Sequence, residues 1–176
     1  MRNSIRWAVF LIVFPALSVR AQNPDDRRGH EPSCPPTATL DALVAALDDA
    51  VSGPANRDRA CLRQVMLPEA RLCPMHRDED GAFAPRLLTV DDWINAVAKH
   101  GSDAFYEVQI KVKSERYGHF AHLWSTYEIR DTPQGKATAS GINSIQAVFD
   151  GTRWRVLSIV WETGATAGPI PENYRP

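Results

Sequence analysis

Residues 106–113, YEVQIKVK, contain the change of pattern that decides the fold class. Apolar side chains at 106, 108, 110 and 112 alternate there with polar ones at 107, 109, 111 and 113. This two-residue period is typical of a strand with one face on a core and one face in water. Before residue 104, apolar residues recur at helical spacing instead. The sequence therefore predicts helices first and a sheet afterwards.

Three helices are predicted ahead of this strand. Leucine and valine recur three and four positions apart over residues 40–51, with Thr39 as the N-cap. A shorter helix is predicted over residues 58–66. The third helix begins after Thr89, and the two aspartates in its first turn suit the positive end of a helix dipole.

Four strands with short connections are predicted to follow. Because hairpin-length connections join antiparallel neighbours, these strands should form an antiparallel sheet. A further short strand and a loop are predicted between the second and third helices, over residues 70–73 and 74–87. The four main strands are predicted over residues 106–113, 122–130, 141–149 and 154–162.

Helices gathered ahead of strands indicate an α+β domain. A strongly twisted antiparallel sheet curls, so we expect a cone-shaped roll in which the curved sheet wraps around three N-terminal helices. This domain should span residues 38–163. Residues 22–37 are expected to form a flexible leader, and residues 164–176 an extended C-terminal tail over the surface.

The N-terminus has the pattern of a signal peptide. Arg2 and Arg6 precede an apolar run of about 13 residues, shorter than the roughly 20 that span a bilayer. Small residues at 19 and 21 predict cleavage after Ala21, so residues 1–21 would be removed. We therefore expect an exported protein, periplasmic or secreted, with no stable membrane anchor after cleavage.

Composition and charge narrow the class of protein. The hydrophobic fraction of 44% is enough for a core, and the net charge of −1 argues against nucleic-acid binding.

The cysteines are Cys34, Cys61 and Cys73. Export favours a disulfide, and Cys61–Cys73 is the favoured pairing because these residues lie in consecutive elements. Three unpaired thiols are the alternative.

From residue 38 to residue 163, the order of elements resembles the nuclear transport factor 2-like superfamily. It is most similar to exported or small soluble bacterial members related to polyketide-cyclase-like and ketosteroid-isomerase-like domains. The stretches that carry the resemblance are residues 40–51, 68–72 (PEARL), 121–128 (AHLWSTYE), 141–146 (GINSIQ) and 150–156 (DGTRWRV).

This resemblance implies an apolar pocket between the curved sheet and the helices, and homodimers through the outer face of the sheet. It does not imply one activity, because members include isomerases, dehydratases, cyclases and binding modules. Catalytic members use a pocket carboxylate with a tyrosine or protonated acid, and a carboxylate in an apolar pocket has a raised pKa.

The strand over residues 122–130 supplies the first candidate site residues. Its alternation places Tyr127 on one face and Trp124, Glu128 and Arg130 on the other, and the sequence leaves open which face meets the pocket. Glu128 is a candidate base, Tyr127 a candidate oxyanion donor and Arg130 a candidate ligand-binding residue. An ion pair between Glu128 and Arg130 on the outer face is the alternative.

The remaining candidates lie on other elements. Asn143 shares a face with apolar residues, where a buried amide needs a partner. It is therefore a candidate ligand-binding residue of the pocket, and a structural hydrogen bond to a neighbouring strand is the alternative. Trp93, Trp124, Trp154 and Trp161, together with Tyr127, are candidates for an aromatic ligand pocket, with ordinary core packing as the alternative. Glu162 ends the last strand near the expected cone mouth and is the second candidate base, unless it is a plain surface residue.

Three functions follow from these residues. The first is an exported domain that binds a small apolar or aromatic ligand. The second is a cofactor-free isomerase, dehydratase or cyclase acting on a small apolar substrate. The third is a non-catalytic dimeric interaction module. We predict no cofactor and no metal ion in any of the three.

Overall fold

The computed structural model describes residues 33–176. The predicted signal peptide, residues 1–21, and the predicted leader up to residue 32 lie outside the described residues. None of the helices within the described range is long and apolar enough to cross a membrane.

The described residues form an α+β domain built on a seven-stranded sheet, in the order β1-β4-β5-β6-β7-β2-β3. Four α-helices accompany the sheet, together with a C-terminal 3₁₀ turn at Glu172–Tyr174. The helices and strands are α1 (Leu40–Val51), β1 (Gly53–Pro54), α2 (Ala60–Val65), β2 (Met66–Arg77), β3 (Phe83–Pro85), α3 (Val90–Ala98), β4 (Ala104–Tyr117), β5 (Phe120–Arg130), β6 (Ala137–Phe149), β7 (Trp154–Thr163) and α4 (Gly164–Ala167).

The two strongest helix predictions are confirmed at their N-termini. The Thr39 hydroxyl accepts a hydrogen bond from the Ala42 N–H at 3.1 Å, which caps α1. Thr89 and Asp92 form a reciprocal capping box at the start of α3. Each signal lies within three residues of the group it binds, which is why the sequence alone locates it.

The sheet differs from the prediction at β2. The strands β4, β5, β6 and β7 are antiparallel neighbours as predicted, but β2 joins β7 in parallel. It also extends over residues 66–77, so the predicted loop 74–87 contains the end of β2 and its hairpin with β3. The prediction of three helices in all is not confirmed, since a fourth helix, α4, follows β7.

The N-terminal segment is fixed to the domain rather than loose from residue 33 to residue 37. Cys34 forms a disulfide with Cys61, and buried Thr37 exchanges backbone and side-chain hydrogen bonds with Trp154. The predicted Cys61–Cys73 pairing was wrong: Cys73 is a free, buried thiol on β2. Adjacency along the chain misled us, because Cys61 faces the segment before α1 while Cys73 packs within the sheet.

The C-terminal residues lie over the outer face of the sheet. Thr126 Oγ1 donates to the Tyr174 carbonyl at 2.7 Å, and the Tyr174 ring lies 5.7 Å from that of Trp124. The tail predicted as extended thus contains one helical turn, α4, and a 3₁₀ turn at its end.

We expect Cys34→Ser to lower the free energy of unfolding by about 3 to 4 kcal/mol, because the Cys34–Cys61 bridge spans 27 residues. Urea denaturation measures this loss. The control Cys73→Ala leaves the bridge intact, so its free energy of unfolding should fall clearly less. Thiol labelling of unreduced, denatured protein should modify Cys73 alone. Labelling of Cys61 instead would contradict the pairing.

Candidate functional site

A cavity of about 330 Å³ lies between the concave face of the sheet and the helices α1 and α3. Its volume is at the lower end of the range for small-molecule sites. Most of the wall is apolar, and the polar side chains are gathered on one side. The lining residues are Leu47, Val51, Leu72, Trp93, Val97, Phe105, Glu107, Tyr127, Ile129, Asn143, Ile159, Trp161 and Thr163.

The structure decides which face of β5 meets the cavity. Tyr127 and Ile129 line it, so their alternating neighbours point to the outer face of the sheet. There Glu128 and Arg130 form an ion pair of 2.7 Å, each about one quarter exposed. The candidates Glu128 and Arg130 therefore do not reach the cavity, because a strand sends successive side chains to opposite faces.

Five of the other candidates divide between two places. Trp93, Asn143 and Trp161 line the cavity together with Tyr127. Trp124 and Glu162 line a separate groove of about 490 Å³ on the outer face, beneath the C-terminal residues. The chemical roles we assigned to these residues remain predictions, but only four of the candidates share one cavity.

The carboxylate inside the cavity is Glu107, which the sequence placed on the wet face of its strand. Phe105, Glu107 and Gln109 point to the concave side, and the register of β4 on β5 shifts between Gln109 and Lys111. The resulting bulge at residue 110 explains how Val112 returns to the inner face opposite Ser125. Alternation showed that Glu107 and Gln109 share a face, but not that this face is the inner one.

Asp48 of α1 and Ser52, the C-cap residue that follows α1, bind β4 beyond its short pairing with β1 and hold Glu107 in this orientation. The Ser52 hydroxyl accepts from the Glu107 N–H at 2.9 Å, and Asp48 Oδ2 accepts from the Gln109 N–H at 3.1 Å. Four residues of helix rise about 6.0 Å and two residues of strand about 6.6 Å, so the two spacings match. The helix thereby covers an edge that would otherwise be unpaired.

The Glu107 carboxylate belongs to a hydrogen-bonded network. Its Oε1 accepts from Asn143 Nδ2 at 3.0 Å and from Gln109 Nε2 at 2.8 Å. Gln109 Nε2 also donates to Asp48 Oδ1 at 2.8 Å, and the Ser125 hydroxyl donates to Gln109 Oε1. Among residues 33–176, Glu107 Oε2 accepts no hydrogen bond, which leaves that oxygen for a ligand.

Burial changes the acidity of the site. Desolvation, with a smaller contribution from the charge of Asp48, raises the pKa of Glu107 from 4.5 to about 7. Desolvation also raises the pKa of Asp48 to about 6, against the opposing hydrogen bonds from Gln109. Glu107 therefore changes protonation near neutrality, where a carboxyl group can both donate and accept a proton.

Tyr127 supplies a hydroxyl donor in the same cavity. Burial and the nearby charge of Glu107 raise its pKa, so the phenol stays protonated. Its hydroxyl makes no hydrogen bond to any other described residue. Gly141 makes room for the ring, because a Cβ there would lie 2.4 Å from the Tyr127 oxygen and 2.4 Å from the Glu162 carbonyl oxygen.

Arg59 supports the aromatic wall from behind. The residue is 2% exposed and donates to the Ala55 and Val51 carbonyls at 2.8 and 3.2 Å. Its guanidinium lies 5.8 Å from the ring centroids of both Trp93 and Phe105. Desolvation lowers its pKa. Sequence reasoning missed Arg59 because its partners are backbone carbonyls and rings that no sequence motif specifies.

Within residues 33–176, no three histidine, cysteine, aspartate or glutamate side chains are grouped so that they could hold a metal ion.

The comparisons with known proteins are informative at the level of the fold. No family model matches the chain, and no curated protein matches it. Among solved structures, a nuclear transport factor 2-like protein of unknown function from Silicibacter pomeroyi is 17% identical, covers 70% of this chain and 92% of its own, and gives a TM-score of 0.49.

Two further solved structures are similar to the domain. A function-unknown protein from Mycobacterium tuberculosis is 14% identical, with a TM-score of 0.52 and coverage of 70% of this chain and 69% of its own. A protein of unknown function with a cystatin-like fold from Nostoc punctiforme is 9% identical, with a TM-score of 0.48 and coverage of 70% and 84%. At these identities the likeness extends to the fold alone.

We expect Glu107→Gln to flatten the pH dependence of stability. A carboxyl group whose folded pKa is raised stabilises the protein fully below its unfolded pKa, and that stabilisation is lost as the pH rises through the folded pKa, about 7 here. Wild-type protein should therefore lose on the order of 1 to 3 kcal/mol of unfolding free energy between about pH 5 and pH 8.

Urea denaturation across this pH range measures the effect. The variant Glu162→Gln alters a carboxylate outside the cavity. Its free energy of unfolding should fall with pH as that of the wild type does. An equal decline in Glu107→Gln would show that Glu107 does not titrate in this range.

Proposed function

We propose that this domain binds a small, largely apolar molecule that places one polar group against Glu107. The observation that carries the proposal is an apolar cavity in which a free carboxylate oxygen, Glu107 Oε2, and a free donor, the Tyr127 hydroxyl, are both available. Sites for small molecules combine apolar walls with a few such orienting groups.

The lining residues narrow the chemistry of the ligand. None of the lining side chains is a lysine, an arginine or a histidine, so nothing in the wall neutralises an anion. The rings of Trp93, Phe105 and Trp161 favour a flat hydrocarbon body. A neutral cyclic or aromatic molecule with one hydroxyl or carbonyl group fits these features best.

Export remains part of the proposal. The pattern of residues 1–21 motivates it, and the Cys34–Cys61 bridge supports it because disulfides persist in oxidising compartments.

A homodimer through the outer sheet face is also still proposed. Trp124 and Val160 are about 40% exposed there, and the C-terminal residues occupy part of the same face.

A ligand screen with two matched variants tests the binding proposal. Val97 lines the cavity and Val160 lines the outer groove, so Val97→Trp should fill the first and Val160→Trp the second. Thermal shift is measured with a panel of cyclic ketones, phenols and bicyclic aromatics. We expect stabilisation in wild type and in Val160→Trp, and its loss in Val97→Trp. The reverse pattern, or no stabilisation of wild type by any compound, would overturn the proposal.

A second function, cofactor-free proton transfer, is favoured by the acidity of Glu107. A base with a pKa of about 7 is suited to work near neutral pH. The Glu107 carboxylate would take a proton from the carbon beside a ligand carbonyl, and the C–H electron pair would form the enolate that Tyr127 stabilises by donating a hydrogen bond. In a ligand with a β,γ double bond the electron pair extends into a dienolate, and return of the same proton to the γ-carbon would complete an isomerisation. This assigns the base role to Glu107 rather than to Glu128 or Glu162.

Hydrogen–deuterium exchange at carbon separates binding from catalysis. A ketone that binds is incubated with protein in D₂O, and loss of its α-proton signal is followed by NMR. We expect Glu107→Gln to slow exchange by about 100-fold or more, whereas Glu162→Gln should leave it unchanged. The wild-type rate should rise as the pH passes through about 7, because the base is the ionised form. Binding of the ketone without exchange in wild type would leave binding as the function.

A further inference from the structure

Asp48, on α1, is a second carboxyl group that reaches the site without lining the cavity. Its two oxygens accept from the side chain and the backbone N–H of Gln109, at 2.8 and 3.1 Å. The same amide nitrogen that binds Asp48 Oδ1 also donates to Glu107 Oε1 at 2.8 Å. One amide group therefore connects the two acids.

The orientation of this amide is fixed by its other contacts. Gln109 Oε1 accepts from the Ser125 hydroxyl, and Ser125 is fully buried. With the carboxylates ionised, the nitrogen faces them, because a flipped amide would bring oxygen against oxygen and lose the hydrogen bond that the hydroxyl donates. The network thus holds two acids at a short distance around one donor group.

Among residues 33–176, no cationic side chain lines the cavity with Glu107. Asp48 from α1 and Tyr127 from β5 are the titratable neighbours that interact with it. The helix α3 and the strands β2, β6 and β7 present uncharged side chains to the cavity, namely Trp93, Val97, Leu72, Asn143, Trp161 and their neighbours. Two arginines follow α1: Arg57 pairs with exposed Asp49, and buried Arg59 donates to the Ala55 and Val51 carbonyls behind the rings of Trp93 and Phe105.

We propose that Asp48 and Gln109 are positioning residues that set the protonation state of Glu107, with Asp48 acting as a like charge and Gln109 as a hydrogen-bond donor. The two influences are opposite in sign. A like charge disfavours the ionised form of Glu107, whereas a donor favours it. Because the groups are coupled, the two carboxyl groups titrate as a pair rather than as independent sites.

This arrangement would give the proposed ligand site its selectivity for charge. With Asp48 ionised first, Glu107 remains partly protonated near neutral pH and offers a neutral ligand both a donor and an acceptor. A carboxylate ligand would meet the charge of Glu107 with no cationic side chain among the lining residues. Asp48 therefore acts on the ligand through Glu107 and never needs to touch it.

Titration of the Glu107 side chain by ¹³C NMR tests the proposal without any ligand. The expected result is that Asp48→Asn lowers the Glu107 midpoint by about one pH unit or more, and that Gln109→Leu raises it. The matched control is Asp49→Asn, one residue along the same helix, which removes an equal charge that is exposed and paired with Arg57; it should leave the midpoint unchanged.

Opposite shifts in the two variants cannot come from a general loosening of the fold, which would move both midpoints toward the value of a solvated glutamate. If Asp48→Asn proves unstable, Gln109→Leu alone still decides, since an unchanged or lowered midpoint overturns the proposal. A midpoint shifted equally by Asp48→Asn and Asp49→Asn would also overturn it. Because no ligand enters this experiment, its failure is distinct from a failure to find one.

Discussion

The contact between the C-terminal end of α1 and β4, beyond the short pairing of β4 with β1, is the interaction on which the site depends. Ser52 and Asp48, four residues apart on the helix, bind the N–H groups of Glu107 and Gln109, two residues apart on the strand. A slip of one residue would break both bonds and turn Tyr106 and Val108 inward instead. Edge protection and orientation of the cavity carboxylate are thus achieved by the same two side chains.

Burial of the Glu107 carboxylate costs free energy, and the neighbouring amides reduce that cost. Placing Glu107 in an apolar cavity is unfavourable, and the amides of Gln109 and Asn143 offset part of that cost by donating to a single oxygen. Desolvation outweighs these hydrogen bonds, since the pKa of Glu107 is still raised to about 7. A carboxyl group held out of water with one free oxygen is what a ligand with a hydroxyl or carbonyl group can use.

Sequence reasoning found part of this site for physical reasons that differ from residue to residue. Asn143 was found because a lone amide on an apolar strand face needs a partner, and it proved to bind Glu107. Tyr127 was placed correctly opposite Glu128, but the inner face of β5 could not be chosen from alternation. Glu107 was missed because the strand carries apolar residues on both sides: Tyr106 and Val108 lie outward, while the bulge at residue 110 reverses the pattern beyond it.

The sequence by itself determined the places of α1, α2 and α3, the caps of α1 and α3, and the antiparallel run from β4 to β7. These features depend on contacts between residues a few positions apart or joined by short turns. Only the tertiary structure decided the parallel pairing of β2 with β7, the Cys34–Cys61 bridge and the inward direction of Glu107. Each of these depends on groups distant along the chain, and a local pattern is equally compatible with either outcome until the packing of the whole domain selects one.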